Sequence, residues 1–189
     1  MINVIFVLGG PGSGKGTLCK NLEKDGWIHV SVGELLREYA KKDNNIEKLL
    51  KKGNLVTSEM SVNILENYLN NIKDNSKVLI DGFPRNITNW ETLMNNKIIK
   101  KININCIIFL ETTKEIMLSR VVERSILSLE KRSDDNVEIF ENRYKLYLDN
   151  LKILENPDIG RMLIRVDSSG STDEVYENVK NIISIMSVI

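Results

Sequence analysis

The sequence predicts an α/β protein with a three-layer fold: an open, mostly parallel five-stranded sheet with helices on both faces. Short apolar runs alternate with helical patterns along the chain, and the run that ends at Leu110 is apolar from Cys106 onward. Strands that alternate with helices form parallel sheets, and continuously apolar strands are buried on both faces of such sheets. The expected strands are residues 2–8, 27–30, 77–80, 103–110 and 162–166.

Helix starts are marked by capping residues. Ser or Thr followed three residues later by Glu predicts a helix N-terminus. This pattern occurs at Ser31, Thr112 and Ser171. Ser133 is expected to cap a further helix, with Asp134 and Asp135 in its first turn, that continues to about residue 154. Helices are also expected at residues 18–24, 33–42 and 58–72.

A glycine-rich stretch follows the first strand and precedes the first helix: Gly9-Gly10-Pro11-Gly12-Ser13-Gly14-Lys15-Gly16-Thr17. A strand, a glycine-rich turn and a helix start place backbone N–H groups and a lysine around one point, which suits a polyphosphate. The spacing fits the phosphate-loop (P-loop) pattern, although Gly16 stands where that pattern has Ser or Thr. The expected phosphate-binding residues are Gly12, Ser13, Gly14, Lys15, Gly16 and Thr17.

Composition narrows the class of protein. With 189 residues the chain is long enough for one well-buried domain. Its 26 basic and 26 acidic residues balance, so we expect neither a nucleic-acid groove nor a membrane-surface patch. Cys19 and Cys106 lie in apolar patterns typical of reduced, buried thiols. No apolar run approaches the length of a membrane span, and a first strand at Ile2 is expected to leave no room for a signal peptide. The expected location is therefore the cytoplasm, with the nucleus as a second expected location.

The third strand ends in a carboxylate, in the segment Asp81-Gly82-Phe83-Pro84-Arg85. P-loop proteins organise magnesium with a carboxylate at the end of a strand. The alternative is that Asp81 only caps a turn before Gly82. His29, the one histidine of the chain, is interpreted as a structural residue of the second strand.

Seven cations lie near helix starts, strand ends or irregular segments: Lys15, Arg37, Arg85, Arg120, Arg124, Arg132 and Arg143. With these residues in place, the chain resembles the nucleoside monophosphate kinases, and within them the UMP/CMP kinases. The resemblance covers nearly the whole chain. The matching segments are residues 9–17, 31–37, 53–56, 80–86, 122–124 and 132–136, with Arg143 beyond.

The resemblance implies an ATP site around the P-loop. Lys15 and the loop amides are expected to hold the ATP phosphates. Arg120 is expected to lie against the adenine, with Gly170 in the same ATP-binding set. Asp81 would fix Mg²⁺ through its bound waters.

The resemblance also implies a second nucleotide site, for the monophosphate that accepts the phosphoryl group. Arg37 and Arg85 would clamp the acceptor phosphate, and Arg124, Arg132 and Arg143 would close on the transferring group. Phosphoryl transfer requires alignment and charge neutralisation more than covalent chemistry, which agrees with this many cations. The expected catalytic residues are Lys15, Asp81, Arg124, Arg132 and Arg143, and the expected acceptor-binding residues are Ser31, Arg37, Val56, Gly82, Arg85 and Asn89.

Two excursions from a single P-loop kinase domain (1–189) are implied: an acceptor-binding helical insert at about 31–60 and a short lid at about 125–133. The lid departs from its relatives. Family lids are small and polar, whereas this one contains Ile126, Leu127 and Leu129. These side chains would add a helical turn, pack on the core or touch a second subunit, and the sequence does not choose among these. We expect a monomer.

The acceptor base is predicted from the residues after Arg85. Adenylate kinases typically have a Thr there and, three residues on, a Gln that reads adenine, whereas this chain has Asn86 and Asn89. The Asn89 amide has both a donor and an acceptor, which suits cytosine or uracil if the amide can flip. The predicted reaction is transfer from ATP to CMP or UMP, and also to dCMP. The alternatives are a short-lid adenylate kinase, a P-loop switch protein and a binding protein that has lost catalysis. The switch protein is disfavoured because the chain has paired acceptor arginines and a lid but no evident water-positioning Gln near Asp81. The binding protein is disfavoured because every expected cation is present.

Overall fold

The strands form one parallel sheet in the computed structural model, which describes residues 1–127 and 136–186. Their order across the sheet is β2-β3-β1-β4-β5, so the predicted five-stranded parallel sheet is confirmed. The predicted strands agree with the observed ones to within one residue at every end. The strands are β1 (Ile2–Gly9), β2 (Ile28–Ser31), β3 (Lys77–Asp81), β4 (Ile102–Glu111) and β5 (Leu163–Asp167).

Helices cover both faces of this sheet. The α-helices among the described residues are α1 (Lys15–Leu22), α2 (Val32–Ala40), α3 (Asn44–Lys51), α4 (Ser58–Leu69), α5 (Ile87–Met94), α6 (Lys114–Leu127), α7 (Val137–Asp149), α8 (Pro157–Met162) and α9 (Thr172–Met186). Short 3₁₀ turns lie at Glu23–Asp25, Lys97–Lys101 and Leu151–Glu155. None of the helices in the two described ranges has the length and apolar character needed to span a membrane.

Two apolar layers hold the helices to the sheet. Alternate residues of β1 divide between them: Phe6 packs into the layer that contains α4 and α5, and Ile5 into the layer that contains α1 and α9. This two-sided burial is what the apolar strand pattern predicts. Cys19 and Cys106 are both buried free thiols in the second layer, as expected.

Strand register sets the position of the functional residues. Asp81 pairs with Val7 on one side and with Ser31 on the other, and Gly9 pairs with Leu110. The last residues of β1, β2 and β3 therefore lie side by side at the carboxyl edge of the sheet. The P-loop leaves the sheet at this edge, next to Asp81.

Two helix starts differ from the prediction. Helix α6 is capped by Thr113, whose Oγ1 accepts from Ile116 N–H at 3.4 Å, and not by Thr112. Helix α7 begins at Val137, where Asn136 Oδ1 accepts from Ile139 N–H at 2.9 Å. The predicted start at Ser133 is therefore wrong, because Asn136 satisfies the first turn instead. Ser133 itself lies outside the described residues. The starts at Ser31 and Ser171 are confirmed.

Candidate active site

A cleft of about 940 Å³ opens at the carboxyl edge of the sheet. Such edges are where ligands bind in open α/β folds. Six of the seven predicted cations line the cleft; Arg132, like residues 128–133 of the predicted lid, lies outside the described residues. The lining also includes every predicted phosphate-binding residue (12–17), and Ser31, Asp81, Gly82 and Gly170.

The P-loop is held tightly against α6. Gly12 has φ 79°, and a Cβ at this position would lie 2.3 Å from the Met117 carbonyl oxygen. Gly14, the N-cap of α1, has φ 94°. Both residues therefore need glycine, for space in the first case and for the left-handed backbone in both. Ser13 between them is fully buried.

Lys15 is turned towards the loop. Its Nζ donates to the carbonyl oxygens of Gly9 at 2.9 Å and Gly10 at 2.7 Å, and to Ser13 Oγ at 3.3 Å. Burial lowers the pKa of Lys15 from 10.5 to about 8, while the nearby Asp81 carboxylate acts in the opposite direction. The ammonium is thus a desolvated cation, and desolvation strengthens its attraction to any anion that enters the loop.

The lowered pKa of Lys15 predicts a pH-dependent stability. The unfolded chain keeps this proton up to about pH 10.5 and the folded protein releases it near pH 8. The unfolded state therefore binds more protons between these values, and the free energy of unfolding rises with pH in this window. Between pH 8 and 10.5 the free energy of unfolding of the wild type should therefore rise by on the order of 3 kcal/mol relative to that of Lys15→Met.

Urea unfolding of both proteins across this pH range measures the difference. Lys20→Met, a change at an exposed lysine of the same helix, is the control: it keeps Lys15, so the difference in free energy of unfolding between the wild type and this variant should stay constant with pH. A wild-type to Lys15→Met difference that stays constant with pH would mean that the ammonium of Lys15 is well solvated.

Asp81 lies between the P-loop and β2. The residue is 8% exposed, and its Oδ2 is 3.2 Å from His29 Nε2. A Cβ at Gly16 would lie 3.5 Å from the same oxygen, so the missing side chain at Gly16 leaves the space in front of the carboxylate open. His29, interpreted from the sequence as a structural residue, therefore lies in the cleft wall and contacts a predicted catalytic group. No local pattern predicts this contact, because 52 residues separate the two.

Arg37 and Arg85 converge beside the start of α2. Nη1 of Arg37 and Nη2 of Arg85 each lie 3.5 Å from the position that a Cβ on Gly33 would take. Arg85 Nε donates to the Gly82 carbonyl oxygen at 3.0 Å, which fixes the plane of its guanidinium. The structure thus brings together the two arginines that the family resemblance assigned to one phosphate.

Asn89 is buried beneath Arg85. Its Oδ1 accepts from Arg85 N–H at 3.0 Å and its Nδ2 donates to Ser58 Oγ at 2.8 Å. These bonds fix the amide orientation and oppose a flip, and they leave one further N–H and one lone pair. Asn89 also lines a pocket of about 10 Å³, room for about one water. The other residues of this pocket include Val32, Leu36, Val56, Gly82 and Phe83.

Arg120 joins the P-loop side of the cleft to the loop after β5. Its Nη2 donates to the carbonyl oxygens of Ser168 at 2.8 Å and Gly170 at 3.1 Å. Its Nη1 lies 3.8 Å from the position of a Cβ on Gly14. Arg120 and Gly170, predicted to act together, are therefore in direct contact.

The sequence did not predict a contact between the insert and α7. Asn142 Nδ2 donates to the Lys52 carbonyl oxygen at 2.6 Å and to Asn54 Oδ1 at 3.3 Å. Gly53, with φ 73°, allows this approach, because a Cβ there would lie 3.0 Å from Ile139 Cγ2. These bonds join the insert to α7, and the two segments line the cleft through the neighbouring residues Gly53 and Arg143.

Removing the Asn142 amide should widen the cleft. In Asn142→Ala both bonds to the insert are lost, and the insert should move away from α7 in the nucleotide-free protein. Spin labels are attached at Lys48→Cys and Lys145→Cys, two exposed positions on α3 and α7. Double electron–electron resonance then gives the distance between the two labels. Glu138→Ala, an exposed change on α7, is the control. An unchanged distance distribution in Asn142→Ala would contradict this role.

The comparison of this chain with known protein families agrees with a nucleotide-binding cleft. Residues 7–156 match the model of the adenylate kinase family, "Adenylate kinase", which is most of the chain. The chain therefore belongs to the adenylate kinase family.

Within that family it is similar to proteins named UMP-CMP kinase. It is 37% identical to UMP-CMP kinase 3 of Oryza sativa subsp. japonica over 188 residues, which cover 96% of this chain and 85% of the relative. It is also 37% identical to the UMP-CMP kinase of Homo sapiens over 194 residues, 95% of each chain. The UMP-CMP kinase of Gallus gallus has the same identity over 193 residues, again 95% of each chain.

Proposed function

We propose that the protein transfers the γ-phosphoryl group of ATP to CMP or UMP, and also to dCMP, giving ADP and the nucleoside diphosphate. The observation that carries this proposal is the convergence of Arg37 and Arg85 in the same cleft as the P-loop. A P-loop alone holds one polyphosphate. Two guanidiniums at a separate point of the cleft supply a second phosphate site, which an acceptor monophosphate requires.

The remaining cations either bind ATP or act on the transferring phosphoryl group. Lys15 and the loop amides hold the ATP phosphates, and Arg120 with Gly170 binds the adenine side. Arg124 and Arg143, which line the cleft, neutralise the charge that spreads over the transferring group. No general base is needed, because the acceptor phosphate oxygen is already anionic. Arg132 is proposed for the same role as Arg124 on the sequence alone.

The donor groups near the P-loop suit magnesium. Asp81 presents a carboxylate at the strand end, and Thr17 adds a hydroxyl in the same cleft. Mg²⁺ prefers such oxygen ligands and keeps several waters. Asp81 would hold the ion through these waters. When bound, Mg²⁺ neutralises phosphate charge, and the residues of this chain align the two nucleotides.

A pyrimidine acceptor is supported by the residues around Asn89. Val32 and Phe83 narrow the pocket beside it, and Asn89 keeps one donor and one acceptor for a base. Relatives of nearly the same length carry the name UMP-CMP kinase. We also propose that the protein is a cytoplasmic monomer, and sedimentation in solution tests the monomer.

A coupled assay with ATP and Mg²⁺ across CMP, UMP, dCMP, AMP and GMP tests the function. We expect the largest kcat/KM for CMP or UMP. A larger kcat/KM for AMP would make the protein an adenylate kinase. Phosphate release from ATP with no acceptor phosphorylated would contradict a kinase of either kind.

Asn89→Gln tests the base assignment. The longer amide should lower kcat/KM for CMP and UMP about tenfold to a hundredfold and raise it for AMP, because the pocket then reads a different edge. Asn86→Ser is the control, since it keeps a cap for α5 and does not line the pocket. An equal loss for every acceptor would show that Asn89 acts only by holding the Arg85 backbone.

A further inference from the structure

Three chemically different donors meet on the inner side of the P-loop. Cys19 lies on α1, His29 on β2 and Asp81 at the end of β3, and their ligand atoms all lie within 4.8 Å of one another. Cys19 is fully buried, and the His29 and Asp81 side chains are 13% and 10% exposed. The fold therefore brings a thiol, an imidazole and a carboxylate together at one point.

We propose that Cys19, His29 and Asp81 form a binding site for a thiophilic divalent cation, Zn²⁺ or Cd²⁺. A sulfur and an imidazole nitrogen select these cations over Mg²⁺, which prefers oxygen. Around a tetrahedral zinc ion, neighbouring donor atoms lie about 3.3 to 3.8 Å apart. The group needs to contract by only about 1 Å to reach this geometry, which side-chain rotation supplies.

The site has an entry path and an open position. His29 and Asp81 line the large cleft, so a cation reaches them from solvent. Three protein ligands leave the fourth position of a tetrahedral ion to water or to a phosphate oxygen from the cleft side. The thiol proton of Cys19 leaves to solvent as the sulfur binds the cation, and no group changes its oxidation state.

Binding at this site has a consequence for phosphoryl transfer, which rests on the proposed function. Asp81 cannot hold the waters of Mg²⁺ while its carboxylate is a ligand of the thiophilic ion. The site is therefore inhibitory, and a free thiophilic cation competes with the reaction at a carboxylate that both ions use.

A cadmium titration of the nucleotide-free full-length protein tests the site without using activity. A cadmium–thiolate bond gives an ultraviolet charge-transfer absorption. We expect this absorption to saturate at one Cd²⁺ per chain in the wild type and in Cys106→Ser, the matched change at the other buried thiol. It should be lost in Cys19→Ser, and His29→Gln should weaken the affinity at least about 10-fold, since the loss of a direct ligand costs no less than the loss of a group that orients one.

Several results would overturn the proposal: no absorption in the wild type, an unchanged signal in Cys19→Ser, or an unchanged affinity in His29→Gln. Far-ultraviolet circular dichroism shows whether each variant is folded. If Cys19→Ser does not fold, Cys106→Ser decides in its place, because Cys19 is then the one thiol left in the chain: the absorption should persist in this variant, and its loss would overturn the proposal.

The inhibitory effect is a separate measurement. Zn²⁺ should inhibit the wild type and Cys106→Ser and should inhibit Cys19→Ser at least tenfold less. Equal inhibition of all three, with the cadmium signal intact, would place the loss of activity elsewhere. That result would contradict the inhibitory effect of this site and leave both the cation site and the proposed function standing.

Discussion

Replacing Arg124 by alanine is expected to lower kcat by about 10³ to 10⁵, with a far smaller loss of ATP affinity. Arg124 lies one turn after Arg120 on α6, half-buried in the cleft wall. Burial is the main cause of the lowered pKa of Lys15, and the charge of Arg124 adds a smaller effect in the same direction, so Arg124 lies near the P-loop. A cation at this point stabilises the charge of the transferring group, which is largest in the transition state.

Two measurements separate this role from binding. Single-turnover rates with CMP give the loss in the chemical step, and calorimetry gives the affinity for ATP. Arg161→Ala, at an exposed arginine of α8 outside the cleft, is the control and should keep the wild-type rate. Equal losses in rate and in ATP affinity would show that Arg124 binds ATP in its ground state.

The sheet was predictable because its signals are local. Apolar strands, alternating helices and a P-loop each occupy a few consecutive residues, and the order of these elements along the chain leaves few topologies. Ser31 and Ser171 cap their helices as predicted for the same reason: each cap bonds within one turn. Because the strands are parallel, their carboxyl ends share one edge of the sheet, which places Asp81 near the P-loop.

The errors also have a local cause. Thr112 and Thr113 are adjacent and chemically the same, so the sequence does not distinguish them as caps. Asn136 is as good a cap as Ser133, and the observed start of α7 uses it. Where two good capping residues lie close together, packing of the helix decides between them.

The contacts that shape the cleft were not predictable, because they join distant residues. His29 reaches Asp81 across 52 positions, and Asn142 reaches Asn54 across 88. Neither pair forms a pattern in the sequence. The convergence of Arg37 and Arg85 was expected only from family resemblance, since an arginine in a sequence is most often an exposed surface charge.

Replacing Arg85 by alanine is expected to raise KM for CMP about 10² to 10³-fold, equal to about 3 to 4 kcal/mol, with the affinity for ATP nearly unchanged. Arg85 is oriented by its bond to the Gly82 carbonyl and by the Asn89 amide that holds its backbone N–H. A guanidinium fixed in this way offers two parallel N–H groups to a phosphate. In Arg85→Ala only one of the two arginines, Arg37, remains to bind the acceptor phosphate.

Arg85→Lys sharpens the interpretation, because it keeps the charge and removes the planar fork. We expect it to recover only part of the loss, whereas full recovery would mean that charge alone matters. Steady-state KM for CMP and ATP, measured separately, gives the comparison. If KM rises for ATP and not for CMP, Arg85 belongs to the donor site and not to the acceptor site. Opposite patterns in Arg85→Ala and Arg124→Ala, one in acceptor KM and one in kcat, would divide the cleft into an acceptor-binding part and a transfer part.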